Sequence, residues 1–340
     1  MLGDVLTTSV LLEQLNKSFP EATLDFLIDK PALQVMQGNP FVDNYIIPEP
    51  RFKSSTISVL KLALRLRKAN YDVVIDVYGK LRSQLITVIS RANTRIGWKK
   101  TFSSFILTHS FDRVTASKNG LSLAIENRLL LLQPLNVAIT TAIPKIYLTE
   151  EEKTAARSVL INQGISMDRP LFMISLLGSS ESKTYPLSYM AQLIEAIVEM
   201  KPTSQILFNY LPSQAPEADV VFNSLDKVYR SNVFVDIYAN SLRKFLAITS
   251  FCDATIGNEG GAINMSKALE IPSFVIFSPY LKKKNWFGSK EVKHVAVHLA
   301  DYIEYSESDY IDSKNNYLPY YNKFTPDLIA PALKTFLSTL

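Results

Sequence analysis

Residues 253–269 read Asp253-Ala254-Thr255-Ile256-Gly257-Asn258-Glu259-Gly260-Gly261-Ala262-Ile263-Asn264-Met265-Ser266-Lys267-Ala268-Leu269. A short β-branched run, Ala254 to Ile256, ends at Gly257. A polar turn follows, and helical character begins at Gly260-Gly261. Paired glycines let a ligand approach the backbone, and an opening helix offers unpaired N–H groups and a positive dipole end. Such a place suits a phosphate or diphosphate. Glu259 stands at its mouth, where a carboxylate either accepts hydrogen bonds from sugar hydroxyls or caps the helix.

Outward from this turn, apolar runs of strand length alternate with amphipathic helical segments. The strand-like runs are 24–28, 73–76, 95–97, 171–175, 205–208, 233–235, 254–256 and 273–277. Helical periodicity covers 5–15, 57–68, 121–132, 190–200, 242–251 and 325–340. This alternation predicts an α/β fold with parallel sheets, helices on both faces and sites at the carboxyl ends of the strands. Pro134 and Pro144 mark a composition break over 133–149, which places a domain junction there. The expected division is a first domain over 1–150, a second over 151–320, and a C-terminal helix over 321–340 packing back on the first domain. The chain opens Met1-Leu2-Gly3-Asp4-Val5 and runs straight into a helix. A Rossmann-like domain begins with its central strand, so the first strand is expected to be absent here; a start codon assigned too late would account for that.

At 340 residues the chain exceeds what one core usually supports. Hydrophobic residues at 47% and charged residues at 20% describe an ordinary globular composition. No apolar run reaches the roughly 20 residues that span a bilayer, and the N-terminus lacks the plan of a signal peptide. The single cysteine, Cys252, leaves no intrachain disulfide, is expected to be a buried, inert thiol, and suits a reducing cytoplasm. A net charge of +4 with no basic stripe argues against nucleic acid as a partner. Lys282-Lys283-Lys284, followed by Trp286 and Phe287, is the one local cluster that would favour an anionic membrane surface or an acidic substrate. The three histidines are His109, His294 and His298. The last two alternate with valines, so a solvent-facing strand pair is expected rather than a metal site.

Three segments share the plan of a loop feeding a helix: Gly3-Asp4-Val5-Leu6-Thr7-Thr8, Gly178-Ser179-Ser180-Glu181-Ser182-Lys183-Thr184-Tyr185-Pro186, and the Gly257–Gly261 turn. With the two-block layout they resemble glycosyltransferase family 9, the heptosyltransferases of lipopolysaccharide core assembly. Further segments carry the resemblance in order along essentially the whole chain. Gly38-Asn39-Pro40-Phe41-Val42-Asp43 is similar to the family's "NPYVD" segment, and Tyr71-Asp72-Val73-Val74-Ile75-Asp76 through Arg82-Ser83 to its "YDLVIDLQGNLRS" stretch. Ser241-Leu242-Arg243-Lys244-Phe245-Leu246-Ala247 with Cys252-Asp253 resembles the helix leading to its "GNDSG" turn, and 271–279 its "GVPTVALFGPT".

The resemblance implies the GT-B architecture: two Rossmann-like doubly wound domains facing a cleft, the first holding an acceptor and the second a nucleotide sugar. It also implies inversion by a single displacement, which needs a base for the acceptor hydroxyl and stabilisation of the departing nucleotide diphosphate. Asp4 matches the catalytic base of the family, and Lys183 its phosphate-contacting lysine. By local sequence alone Asp4 also suits a helix N-cap and Lys183 a solvated loop. Ser179 and Ser180 add hydroxyl donors to the same anion, Gly260 and Gly261 the other half of a diphosphate cradle, and Glu259 and Asn264 further donor-binding contacts. Lys80, Arg82 and Arg128 are acceptor-side candidates, because arginine matches carboxylates and phosphates as a planar fork. No Asp-x-Asp occurs, so no metal and no cofactor are expected; the resemblance implies ADP-heptose as donor and a lipid-linked glycan as acceptor, met in the cytoplasm with peripheral contact at the inner membrane.

Where the family usually has aspartate followed by serine or threonine, this chain has Glu259 and Gly260; where it has histidine within the following helix, this chain has Asn264. Those changes alter reach and charge and leave the donor sugar open. Two alternatives stand beside transfer: a non-catalytic descendant that binds a nucleotide sugar or glycan, and a GT-B sugar-nucleotide epimerase.

Overall fold

The structure is a computed structural model describing every residue except Met1, Phe102, Thr141, Tyr238 and Lys290. The chain divides into two compact units, Gly3–Pro144 and Lys145–Leu340. The junction thus falls at the second proline of the composition break, a little before residue 150.

The strands of the first unit are β1 (Asp25–Leu27), β2 (Asn44–Ile46), β3 (Val73–Asp76), β4 (Thr94–Trp98) and β5 (His109–Phe111). All pairs are parallel, and they fall into two sheets, β1-β2 and β3-β4-β5. β2 and β5 have no forerunner in the sequence reading; each is three residues long, too short for alternation to show, as is β1, which lies inside the longer run 24–28. The helix Leu2–Ser18 lays Val10 and Leu11 against Ile125, Leu129 and Leu132. The helix Thr56–Lys68, capped by the Ser55 hydroxyl, packs Val59, Leu62, Ala63 and Leu66 against Ile86 of the helix Leu81–Ser90 and against Leu27 and Ile46 of β1 and β2.

The second unit holds β6 (Leu171–Ser175), β7 (Gln205–Asn209), β8 (Val233–Phe234), β9 (Ala254–Asn258), β10 (Ser273–Ile276) and β11 (His294–Val297). They form one parallel sheet in the order β11-β10-β9-β6-β7-β8. β6, β9 and β10 are buried along their whole length, as strands covered by helices on both faces must be. One cover is the helix Leu187–Met200, whose buried stripe Met190, Leu193, Ile194 and Ile197 follows the helical period. The chain builds outward from β6 in both directions, so the order reverses between β6 and β9. That reversal leaves a crevice beyond their carboxyl ends, where ligands of such sheets bind.

Two expectations are corrected here. The C-terminal helix, Pro326–Leu337, does not reserve its apolar stripe for the first unit: Ile329, Leu333, Phe336 and Leu337 are buried in the second unit's core, with the Phe336 ring tilted against Phe274 at 5.8 Å. Nor are His294 and His298 a solvent-facing pair. His298 is buried just past β11, where its Nδ1 accepts from the Ala300 N–H at 2.9 Å, its Nε2 meets the Pro279 carbonyl at 3.0 Å, and Tyr310 stacks on its ring. His294 is half-buried against Ser273 and edge-on to Phe287. The alternation with valine was real but covered on both sides. Cys252 is buried, and burial pushes its thiol well above the ordinary range, which makes it inert.

Burial holds both histidines below the ordinary imidazole range, His294 down to about 4 with help from Lys267 and Lys293. As pH falls from about 6.5 toward 4, the unfolded chain therefore binds more protons than the folded one, and stability present above that window is lost through it. The urea midpoint should drop between pH 7 and pH 4.5, with His294 contributing on the order of 2 kcal/mol. His294→Asn should flatten that loss; an equal loss in both proteins would assign it to carboxylates instead.

Candidate functional site

In the second unit the site is built from the two chain segments that leave β6 and β9. After β6 the chain turns at Gly178, where an added Cβ would lie 2.4 Å from the Lys183 carbonyl oxygen. Only glycine allows the loop to fold back so closely. The Gly178 N–H donates to Thr184 Oγ1 at 3.1 Å, and that hydroxyl donates to the Ser180 carbonyl at 2.9 Å. The loop is then held from outside. The Ser182 carbonyl accepts from Ser278 Oγ at 2.6 Å and from the Tyr321 hydroxyl at 3.1 Å. The Tyr185 hydroxyl donates to the Phe324 carbonyl at 2.7 Å.

Asn258, at the end of β9, ties the two segments together. Its Oδ1 accepts from the Tyr185 N–H at 2.7 Å, and its Nδ2 donates to the Leu176 and Ser175 carbonyls at 2.8 and 3.2 Å. Gly257 beside it, with φ +129°, brings β9 so close to β6 that a Cβ would sit 2.4 Å from the Ser175 carbonyl oxygen. Sequence reasoning singled out Gly257 as the turn and passed over Asn258, Ser278 and Tyr321. Asn258 and Ser278 do lie inside the two stretches that resemble the family's "GNDSG" and "GVPTVALFGPT" segments.

This frame leaves Lys183 half-buried, its ammonium without a hydrogen bond or ion pair among the described residues. Its positive field reaches Glu259: burial pushes that carboxyl up, while Lys183 and then Lys267 draw it back down. Glu259 is only 9% exposed. It does not cap the helix Gly261–Ala268, whose first turn receives no side-chain cap. One of its two sequence-level roles is thereby removed. Gly260 has extended backbone and open space where a Cβ would stand, so nothing in the protein itself requires glycine there. Ser179 and Ser180 are exposed on the same loop as Lys183. Asn264 donates from Nδ2 to the Gly260 carbonyl at 3.1 Å, which ties it to the turn. Lys267, which the sequence reading did not single out, is half-buried in an ion pair with Glu291 and lies 4.0 Å over the Phe287 ring.

In the first unit Asp4 lies in the first turn of the helix Leu2–Ser18, its carboxylate 43% exposed. Arg128 is buried against it. Its Nη2 donates to Asp4 Oδ1 at 3.0 Å and to the Asp4 carbonyl at 3.1 Å, its Nε to Thr8 Oγ1 at 3.0 Å, and its Nη1 to the Ala124 carbonyl at 2.7 Å. The guanidinium that the sequence offered to an acceptor is thus occupied in fixing Asp4. Burial lowers its affinity for a proton and Asp4 restores part of it.

The turn after β3 holds the other acceptor-side candidates. Asp76 is buried there, accepting from the Gly79 N–H at 2.8 Å and from Ser83 Oγ at 3.0 Å; burial pushes its carboxyl up despite those donors. Gly79, at φ +62°, packs so near Trp98 that a Cβ would come within 2.9 Å of the indole. Beyond the turn lies a cleft of about 410 Å³ lined by Tyr78, Lys80, Trp98, Lys99, Lys100 and Arg113, among others. Arg113 lies 4.0 Å over the Trp98 ring and feels the charge of Asp4. Lys80 therefore borders a cationic, aromatic hollow, while Arg82, half-buried in the helix Leu81–Ser90, is not among its walls. Lys99, Lys100 and Arg113 were missed by sequence reasoning; the Trp98-Lys99-Lys100 run directly after a strand was the available signal. Among the described residues no group of three or more His, Cys, Asp or Glu side chains is placed to hold a metal ion.

The described segments agree with what comparison with known proteins shows. The model of glycosyltransferase family 9 (heptosyltransferase) matches residues 59–313. Lipopolysaccharide heptosyltransferase 1 of Campylobacter coli is 22% identical over 298 residues, covering 84% of each chain. The glycosyl transferase family 9 structure from Veillonella parvula superposes with a TM-score of 0.82 at 18% identity, covering 100% of this chain and 95% of that one. The structure of E. coli ADP-heptose LPS heptosyltransferase II does so with a TM-score of 0.72 at 17% identity, covering 99% and 96%. The chain belongs to glycosyltransferase family 9, the heptosyltransferase family, and is a glycosyltransferase of GT-B fold.

Proposed function

We propose that this glycosyltransferase moves a heptose or closely related sugar from a nucleotide diphosphate sugar, ADP-heptose by the family's example, to a lipopolysaccharide core or related lipid-linked glycan. Transfer proceeds in the cytoplasm, with inversion and without a metal ion. The observation that carries the donor half of this reading is Lys183: a half-buried cation whose ammonium has no hydrogen bond or ion pair among the described residues, within electrostatic reach of Glu259. Glu259 adjoins the open space at Gly260 and the helix Gly261–Ala268, which has no side-chain cap. A diphosphate supplies the anion that this lysine and the helix N–H groups lack. Glu259, buried and not engaged as a cap, suits sugar hydroxyls, which donate to a carboxylate.

In this reading Asp4 accepts the proton of the acceptor hydroxyl as its oxygen bonds to the anomeric carbon. The bond from that carbon to the diphosphate oxygen breaks, and its electron pair leaves with the nucleotide diphosphate. Arg128 donates to Asp4 Oδ1 and so fixes the orientation of the carboxylate toward the acceptor hydroxyl. Lys183 stabilises the charge that develops on the leaving group, where a preorganised cation acts most strongly. Lys80 and its cationic neighbours suit an acceptor that carries phosphate or carboxylate groups.

Asp4→Asn should lower turnover by about two to four orders of magnitude with affinity for the nucleotide sugar nearly intact. EDTA should leave the wild-type rate unchanged in the same assay. Comparable loss of donor affinity would make Asp4 a structural residue, and wild-type protein that binds the donor without transferring it would favour a binding descendant.

Lys183→Ala should weaken ADP binding roughly 10- to 100-fold, the worth of one charge-assisted contact. Isothermal titration reads this directly, and unchanged affinity would remove the lysine from the diphosphate site.

Arg128 separates two roles by kinetics. If it positions Asp4, Arg128→Ala lowers kcat by about 100-fold while the acceptor KM moves little, since small misplacement of a reacting group has effects of that size. A raised acceptor KM with kcat intact would return Arg128 to the acceptor.

A further inference from the structure

The helix Thr56–Lys68 carries two apolar faces. One, formed by Val59, Leu62, Ala63 and Leu66, is buried in the first unit's core. The other is exposed: Ile57 at 69%, Leu60 at 43% and Leu64 at 45%. With 3.6 residues per turn these three fall within roughly 60° of one another, on the side of the helix opposite the buried stripe. Single exposed apolar residues are ordinary, but a row of three along one helix is not.

The cations are arranged around that row. On the helical wheel Arg67 falls on one side of it, and Lys68, Lys61 and Arg65 fall on the other. All four are exposed, none forms an ion pair among the described residues, and the helix contains no acidic residue. A protein interface core is depleted of lysine and enriched in aromatic residues; this face has the reverse composition. Apolar side chains between long, flexible cations match a layer that is hydrocarbon within and anionic at its surface, where the cationic heads reach the phosphates as the stems lie along the apolar face. The helix is already folded and capped by Ser55, so docking requires no ordering of the chain.

The cluster that the sequence suggested for such contact is otherwise engaged. Lys282 pairs with Glu307 and Lys283 with Asp301, while Trp286 and Phe287 turn inward onto Ile263, Val275 and Phe277. Among the described residues no helix is long and apolar enough to cross a membrane.

We propose that the outward face of the helix Thr56–Lys68, through Ile57, Leu60 and Leu64 and the flanking lysines and arginines, docks the protein on the surface of an anionic phospholipid bilayer. The inference stands on this helix alone, apart from the identity of donor and acceptor. The test is flotation of the full chain with vesicles of phosphatidylglycerol and phosphatidylcholine, against phosphatidylcholine alone. The bound fraction should be at least about tenfold higher on the anionic vesicles and should fall in high salt. The triple variants Ile57→Ser/Leu60→Ser/Leu64→Ser and Lys61→Glu/Arg65→Glu/Lys68→Glu should each lower partition about tenfold or more. Both should keep the wild-type thermal melt and ADP affinity. Equal partition onto neutral vesicles, no partition at all, or variants that float like wild type would overturn the proposal. So would a wild-type dimer in sedimentation that the serine variant dissociates, which would give the face to a second copy of the chain.

Discussion

The buried side chain of Asn258 is the contact on which the second unit's site depends. Two parallel strands diverge from β6 and β9, and nothing in a parallel ladder obliges their loops to stay together beyond the last strand pair. The Asn258 amide imposes that, with its oxygen on the Tyr185 N–H and its nitrogen on the carbonyls of Ser175 and Leu176. A buried amide so satisfied is specific as well as stabilising, because any smaller or apolar replacement strands three main-chain groups away from water. An aspartate of the same shape would present only acceptors to the two carbonyls. Lys183 and Glu259 acquire their relation through this link, one at each end of the segments it joins.

The first unit uses a different device. Arg128 reaches Asp4 from a helix more than a hundred residues away in sequence, and of its four donor contacts two go to Asp4, one to Thr8 and one to the Ala124 carbonyl. A lysine could pair with the carboxylate but could not also fasten the Asp4 carbonyl and Thr8, since its single nitrogen lacks the fork. The geometry of the carboxylate is therefore a property of the helix Leu123–Leu130 as much as of the chain start. Arg113, over the Trp98 ring, adds a second cation within reach of the same charge.

How far residues alone revealed this varies with the physics of each element. β6 and β10 were legible because a strand buried on both faces is a nearly continuous apolar run, β9 because its short β-branched start ends at Gly257, and the Gly257–Gly261 turn because its glycines have few other uses. β2 and β5 were not, since Asn-Tyr-Ile and His-Ser-Phe contain too few residues for any period. Lys183 lies within electrostatic reach of Glu259, and Asn264 bonds Gly260; loop-then-helix order was the signal that named these residues together. Arg128 was noticed for its chemistry, but its contact with Asp4 was not foreseen, because a guanidinium suits a protein carboxylate and a ligand phosphate equally well. His298 misled for the opposite reason: alternation reports that a segment is extended and is silent on how much is packed over it.

The loop that carries Lys183 is closed by residues near the far end of the chain. Ser182 is held by Tyr321, and Tyr185 by the carbonyl of Phe324, each contact spanning 139 positions. A ribosome must therefore have released residues up to Phe324 before the 178–186 loop can be fastened. Until then the second unit has every strand of its sheet, the last ending at Val297, but not the clamp on that loop. Ordering in time thus follows from two tyrosines, and a chain interrupted before residue 321 would present an assembled sheet with the Lys183 loop still unfastened.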